Sequence, residues 1–332
     1  MNGIDNDISQ TKTASRRWFS TPYNFREKLA WIKNNLFGPS KKYKKLTEFI
    51  PKSLELNSIS TQVKLGFIGD IMPMKRKILQ FDESLREFIN DVDYLVGNFE
   101  GIITNSKKRV FMAQIHSEQI LLDLKKLFPP EKTILACANN HSADFGFQEF
   151  KKSYQLLKDH GFLIIGTKDE PKILLKDSVN LANITYWSNH PCSFLADFEN
   201  VDKYFDPNAK FNILYPHWGY ELQLYPNPAQ IELGKKLLEK WDMIVGHHSH
   251  CPQPIARYGN KIIAYSLGDF CIGKNLKKYL YGMIVKAEIG PDNKGIWRVG
   301  KMEWRFTKIE HINRHISEVR IINQCKFFDL DF

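Results

Sequence analysis

The chain has 332 residues, 43% of them hydrophobic, 13% aromatic and 25% charged. That composition supports a sizeable core and excludes a disordered or fibrous chain. The net charge of +10 calls for an anionic partner, but residues 1–60 hold 11 Lys and Arg against 5 Asp and Glu, a net of +6, while the rest is nearly balanced. Five cysteines, an odd number without a C-x-x-C pair, argue against a thiolate zinc site or a disulfide scaffold and fit a reducing compartment. No apolar run reaches the roughly 18 residues of a membrane span. Asn2, Asp5, Asn6, Asp7 and Gln10 interrupt any secretory core. A cytoplasmic protein is expected.

Residues 1–20 read as a polar, flexible start. Ser20-Thr21-Pro22 predicts a cap with Pro at the first helical position, and Gly38 a stop. Between them Phe25, Leu29, Ile32 and Leu36 mark one helix face, with Arg26, Lys28 and Lys33 off it. Two readings fit: a basic amphipathic helix touching an anionic membrane surface through residues 22–37, or a helix packed against the main domain. The run Lys41-Lys42-Tyr43-Lys44-Lys45 reads as solvated surface.

From residue 61 short apolar strands lead into polar clusters. Val63, Leu65 and Phe67 run into Gly69-Asp70, and Tyr94-Leu95-Val96 into Gly97-Asn98-Phe99-Glu100-Gly101. Thr133–Cys137 leads into Asn139-Asn140-His141, Phe211–Tyr215 into Pro216-His217-Trp218-Gly219, and Met243–Val245 into Gly246-His247-His248-Ser249-His250. Helical patterns at 147–159 and 228–240 lie between, so the fold class is α/β. Ligands of such sheets bind at the carboxyl ends of strands, and the five clusters are read as one site. After residue 272, Tyr281–Ile289, Gly295–Val299 and Met302–Ile309 predict antiparallel hairpins completing a second sheet. The organisation is then a basic extension over 1–60, a main domain over 61–310, and a tail or added strand over 311–332.

The site collects Asp70, Glu100, Asn140, His141, His217, His247, His248 and His250. Imidazoles with carboxylate and amide oxygens suit Zn, Mn, Fe or Co better than Mg or Ca. A bridging carboxylate would hold two cations, and such a pair suits attack on a phosphoryl or carbonyl centre.

The ordered motifs Gly69-Asp70, Asn98-Phe99-Glu100-Gly101, Ala138-Asn139-Asn140-His141 with Asp144 and Gly146, His217-Trp218-Gly219-Tyr220-Glu221, and Gly246-His247-His248-Ser249-His250 with Gln253-Pro254 resemble the CapA family. These are capsule synthesis or poly-γ-glutamate synthesis (PgsA) proteins within the calcineurin-like metallophosphatases. The resemblance spans roughly residues 63–272, and Tyr265-Ser266-Leu267-Gly268-Asp269-Phe270 resembles its next motif, with Asp269 where Asn is usual. It implies a four-layer α/β/β/α sandwich holding divalent transition metal, two ions of Mn, Zn or Fe. Asp70 would be a ligand of the first metal and Glu100 the bridge. Asn140 would bind the second metal, with His217, His248 and His250 completing the shells. His141 would protonate the leaving group or stabilise the transition state. His247 is one imidazole more than the pattern needs and could replace His248. Asp144 either orients His141 or caps the helix near Phe147.

Two departures matter: Met72 stands where the superfamily has a histidine ligand, and Glu100 where it usually has Asp, leaving the first metal one ligand short. His116, in the loop Phe111–Glu118, reads as an ordinary loop histidine. Cys137 reads as core, while Trp218 and Tyr220 read either as pocket walls or as core. The resemblance implies a metal-dependent hydrolase of capsule or poly-γ-glutamate production, acting on an anionic phosphoester or polymer. The alternatives are a non-catalytic accessory for anionic polymer assembly or export, and a nuclease or general phosphodiesterase. No recognised nucleic-acid module accompanies the basic arm, so nucleic acid is not an expected partner.

Overall fold

Val63 to Ile71 is buried at every residue except the half-buried Lys64, so this strand needs cover on both faces and a partner on both edges. In the computed structural model, which describes residues 21–328, it lies near the middle of a ten-stranded sheet. On one side run the parallel strands Tyr94–Phe99, Thr133–Ala136 and Leu163–Ile165. On the other, Tyr281–Pro291 pairs antiparallel, followed by Trp297–His311, Ile316–Ile322 and Ile78–Phe81. Ser53–Glu55 joins Trp297–His311, and Asp269–Cys271 joins the end of Val63–Ile71.

Here the structure corrects one expectation. The hairpin after residue 272 extends the sheet that carries Asp70 instead of completing a second one. The predicted segments Gly295–Val299 and Met302–Ile309 are one long strand, Trp297–His311.

The second sheet has six strands, in the order Ile255–Tyr258, Lys261–Ala264, Met243–Val245, Phe211–His217, Val179–Thr185 and Lys172–Leu175. Its four inner strands are mutually parallel. The sheets face each other: the Phe67 and Tyr215 rings lie 6.2 Å apart, and the Tyr215 hydroxyl donates to the Ile68 carbonyl at 2.8 Å. Alternate residues of Phe211–His217 divide between two cores, Ile213 and Tyr215 facing the other sheet and Leu214 facing Leu237, Leu238 and Trp241 around helix Pro228–Lys240. Helices Glu83–Ile89, Gln119–Leu124 and Phe147–Asp159 pack on the ten-stranded sheet. The result is the α/β class in four layers, helices outside and sheets within.

Two glycines allow the strand ends to meet. A Cβ on Gly69 would run into the carbonyl oxygen of Gly268, the acceptor of the Asp70 N–H at 2.8 Å. Gly69→Ala is therefore expected to cost about 2–3 kcal/mol by overpacking. A chemical-denaturation midpoint matching wild type would contradict that close approach.

The N-terminal helix spans Phe25–Phe37 and is capped by Asn24 in a reciprocal capping box with Glu27. Its start is thus three residues beyond the predicted Pro22, because Asn24 and Glu27 satisfy each other's backbone N–H groups. The readings for residues 1–20, including the Ser20 cap, lie outside the described residues. All five cysteines are free thiols. Among the described residues no helix is long and apolar enough to cross a membrane.

Candidate metal centre

Every residue singled out for the site is buried, and the structure brings them together at the facing strand ends. Asp70 closes its strand with Oδ1 accepting from Asn98 Nδ2 at 2.7 Å and Oδ2 accepting the His248 N–H at 3.1 Å. Glu100 follows the neighbouring strand, its Oε2 within 3.3 Å of the same Asn98 amide. Its Oε1 has no hydrogen-bond partner and is faced by His250 Nε2 at 3.6 Å and His141 Nε2 at 4.0 Å. Asn140 Oδ1 meets His217 Nε2 at 2.8 Å, and His217 Nδ1 meets His247 Nδ1 at 2.8 Å.

Three sets of side chains have donor atoms close enough to share an ion: Asp70, His217 and His247; Glu100, His248 and His250; Asp70, His250 and Asp269. His247 and His248 fall in different sets, the first with Asp70 and His217 and the second with Glu100 and His250. Met72 is packed in the core. The extra carboxylate is instead Asp269, brought beside Asp70 by strand register, with Oδ1 2.9 Å from His250 Nδ1. That contact leaves His250 Nε2 free to face Glu100, as an outer carboxylate does for a metal-bound histidine. Asp144 does the same for His141, Oδ2 lying 2.8 Å from Nδ1. The capping reading for Asp144 is not realised: helix Phe147–Asp159 has Gly146 at its N-cap and no side-chain cap.

Burial raises the Glu100 carboxyl well above the ordinary range, against the pull of His250 and with the neighbouring carboxyls Asp70 and Asp269 adding to the rise. Burial also pushes Asp269 up to about 7. It opposes charge on His250 too, yet Glu100 and Asp269 hold that ring well above its usual value. Burial drives His217 and His248 well below theirs, and adjacent imidazoles add to the fall. A cation among these groups would favour ionised carboxylates and neutral imidazoles together.

The fit to a metal rests on the donors. Glu100 Oε1, His247 Nε2, His248 Nδ1 and Asp269 Oδ2 are buried atoms without hydrogen bonds. Leaving such atoms unmet costs about 1–3 kcal/mol each, more when charged, and a shared cation removes that cost. Nitrogen with carboxylate oxygen is the donor chemistry of Zn, Mn and Fe sites. The backbone is also unusual here, with His248 at φ 98° and His250 at φ 53°, both left-handed.

Several contributors went unread in the sequence. Asn98, which holds Asp70 and Glu100 together, stood within a motif but carried no role. Asn189 lies 3.4 Å from both His141 ring nitrogens and from the Asn140 amide, with no motif to mark it. Tyr23 comes from the N-terminal segment, its hydroxyl 3.1 Å from His248 Nε2 and its ring stacked on Tyr220. Trp218 is core, donating to the Tyr265 carbonyl at 2.9 Å, and Cys137 is core as read.

His116 is not an ordinary loop histidine. It stacks on Phe99 at 4.1 Å and its Nε2 lies 2.8 Å from the Glu100 carbonyl oxygen, fixing the Glu100 backbone. Burial lowers it from 6.5 to about 4. As pH falls the unfolded chain takes up this proton first, so the stability it contributes is complete above about pH 6.5 and is lost on descent towards 4, on the order of a few kcal/mol. His116→Phe keeps the stack and removes the titration. Its denaturation midpoint should fall less than that of wild type between about pH 7 and pH 5.

Residues 64–186 and 181–274 match the family described as bacterial capsule synthesis protein PGA_cap. The PGA biosynthesis protein CapA of Bacillus subtilis (strain 168) is 26% identical over 265 residues, 70% of each chain. The capsule biosynthesis protein CapA of Bacillus anthracis is 29% identical over 245 residues, 63% of this chain and 59% of that one. Among solved structures, a putative 5'-nucleotidase from Staphylococcus aureus in complex with alpha-ketoglutarate aligns with a TM-score of 0.46 at 12% identity, covering 81% of this chain and 56% of that one. A hypothetical protein from Thermus thermophilus aligns with a TM-score of 0.45 at 11% identity, covering 74% of this chain and 99% of that one. Likeness at that level says nothing of the site. The family match spans well over half of the sequence, and the chain belongs to the bacterial capsule synthesis protein PGA_cap family.

Proposed function

We propose that the chain is a metal-dependent hydrolase of capsule or poly-γ-glutamate biosynthesis, acting on an anionic phosphoester or polymer. The observation that carries this reading is Glu100 Oε1, a buried carboxylate oxygen without a hydrogen bond, faced by His250 Nε2 and His141 Nε2. Asp70, Glu100, His217, His247, His248 and His250, with Asn140 Oδ1 and Asp269 at the margin, would hold one or two ions of Mn, Zn or Fe. Bound there, the metal supplies Lewis-acid polarisation of a phosphoester oxygen and a lowered pKa for attacking water.

The protein's own part is positioning and proton transfer. Asp144 holds the His141 ring through Nδ1, so Nε2 points at the centre and can deliver a proton to the leaving oxygen. Asn98 keeps Asp70 and Glu100 at a fixed spacing. A second reading, a non-catalytic metal-binding accessory for polymer assembly or export, draws on Tyr23, whose buried phenol covers His248.

Elemental analysis of protein purified without chelator, paired with aryl phosphomonoester and phosphodiester assays, tests both. Bound metal with turnover supports the hydrolase, and bound metal without turnover supports the accessory. A protein that stays empty when Mn and Zn are supplied overturns both.

A further inference from the structure

The N-terminal helix packs the wrong way round for an amphipathic helix. Its polar face is held on the rim of the metal centre: Trp31 Nε1 donates to Glu221 at 2.7 Å, the Tyr220 hydroxyl to Glu27 at 2.8 Å, and the buried Asn34 amide to the Leu222 carbonyl at 3.2 Å. From the opposite side Lys278 Nζ and the Tyr279 hydroxyl reach Asn35. The apolar stripe therefore faces outward. Phe25, Leu36 and Phe37 are 75%, 73% and 82% exposed, and Leu29 and Ile32 about half.

At about 100° per residue, Phe25, Leu29, Ile32 and Leu36 fall within roughly 60° of one another. Arg26 and Lys33 then lie on one flank of that stripe and Lys28 on the other, all three exposed. An apolar ridge flanked by cations is the pattern of a helix lying in a lipid interface, where the ridge enters the acyl boundary and the cations meet phosphate headgroups. A protein partner would account for the ridge, but cations on both flanks, two on one side and one on the other, match the anionic plane of a membrane.

We propose that Phe25–Phe37 docks the protein on an anionic lipid bilayer through Phe25, Leu29, Ile32 and Leu36, with Arg26, Lys28 and Lys33 on headgroup phosphates. The inference is independent of the proposed hydrolysis. It has one consequence for the centre: the docked helix places the loop His217–Glu221 and Tyr23 directly beneath the lipid surface.

Full-length protein is sedimented with vesicles of phosphatidylcholine alone or mixed with phosphatidylglycerol. Wild type should bind the mixed vesicles at least about tenfold more tightly, with binding weakened by salt. Leu29→Glu/Ile32→Glu should reduce that binding by roughly a hundredfold. Arg26→Gln/Lys28→Gln/Lys33→Gln, which leaves the ridge intact, should reduce it to the level seen with phosphatidylcholine. A thermal midpoint equal to wild type shows that each variant is folded, and the charge variant decides the matter if the apolar one is not. Wild type remaining in the supernatant with both vesicles overturns the proposal. So does unchanged binding by the charge variant, or a lipid-free dimer abolished by Leu29→Glu/Ile32→Glu with vesicle binding unaltered, which would make a second copy the occupant.

Discussion

Asp70→Asn is expected to lower affinity for Mn or Zn by at least a hundredfold, beyond the range of about 10–100-fold typical when only an outer partner is removed. Asp70 belongs to two of the three donor sets, one with His217 and His247 and one with His250 and Asp269. The change keeps the shape but removes the charge and turns one oxygen into an N–H donor, which cannot hold a cation. Burial opposes ionisation of Asp70, but His247, His250 and Asn98 outweigh it and hold the carboxyl below its ordinary value. The group is therefore kept ready as an anion. Calorimetric titration of chelator-stripped protein reads the affinity directly. A thermal shift gives a second readout, since ligand at a hundred times its Kd should stabilise wild type by about 2.7 kcal/mol and the variant hardly at all. Equal affinity in the two proteins would remove Asp70 from the centre.

His141→Ala separates proton transfer from metal binding. Under the proposed hydrolase it should lower kcat by about 10²–10⁴-fold with metal content unchanged. The ring lies outside all three donor sets, yet its Nε2 is 4.0 Å from Glu100 and its Nδ1 is held by Asp144. Asp144→Asn should cause a smaller loss, because Asn still offers an oxygen to Nδ1 and keeps the ring oriented. Turnover unaffected by His141→Ala would falsify the assigned role. Loss of metal in step with loss of turnover would make His141 a ligand.

The strand ends were legible because independent turns would not close five apolar runs, in order, on Asp, Glu, Asn and His. Helices Phe147–Asp159 and Pro228–Lys240 were equally readable, one stopped at Gly161 in a left-handed conformation and one opened by Pro228. What stayed hidden was relational. A period of two marks Tyr281–Pro291 as a strand but says nothing about which sheet edge it will join. The stripe from Phe25 to Leu36 marks a helix face but not whether that face turns inward, and here Trp31, Asn34 and Asn35 on the other side made better contacts. Asp269 could be noticed only as a departure from the CapA pattern. Its place beside Asp70 follows from strand register, which no local window encodes.

The left-handed backbone at His248 and His250 sets two selection pressures against each other. A histidine in that conformation costs roughly 1–2 kcal/mol relative to glycine. Glycine would relieve that strain, but it would leave a buried void and strip Asp269 and Glu100 of the ring that faces them, a larger loss. Variants chosen from a random library for heat resistance alone should therefore keep both imidazoles, so their retention reports packing as much as metal.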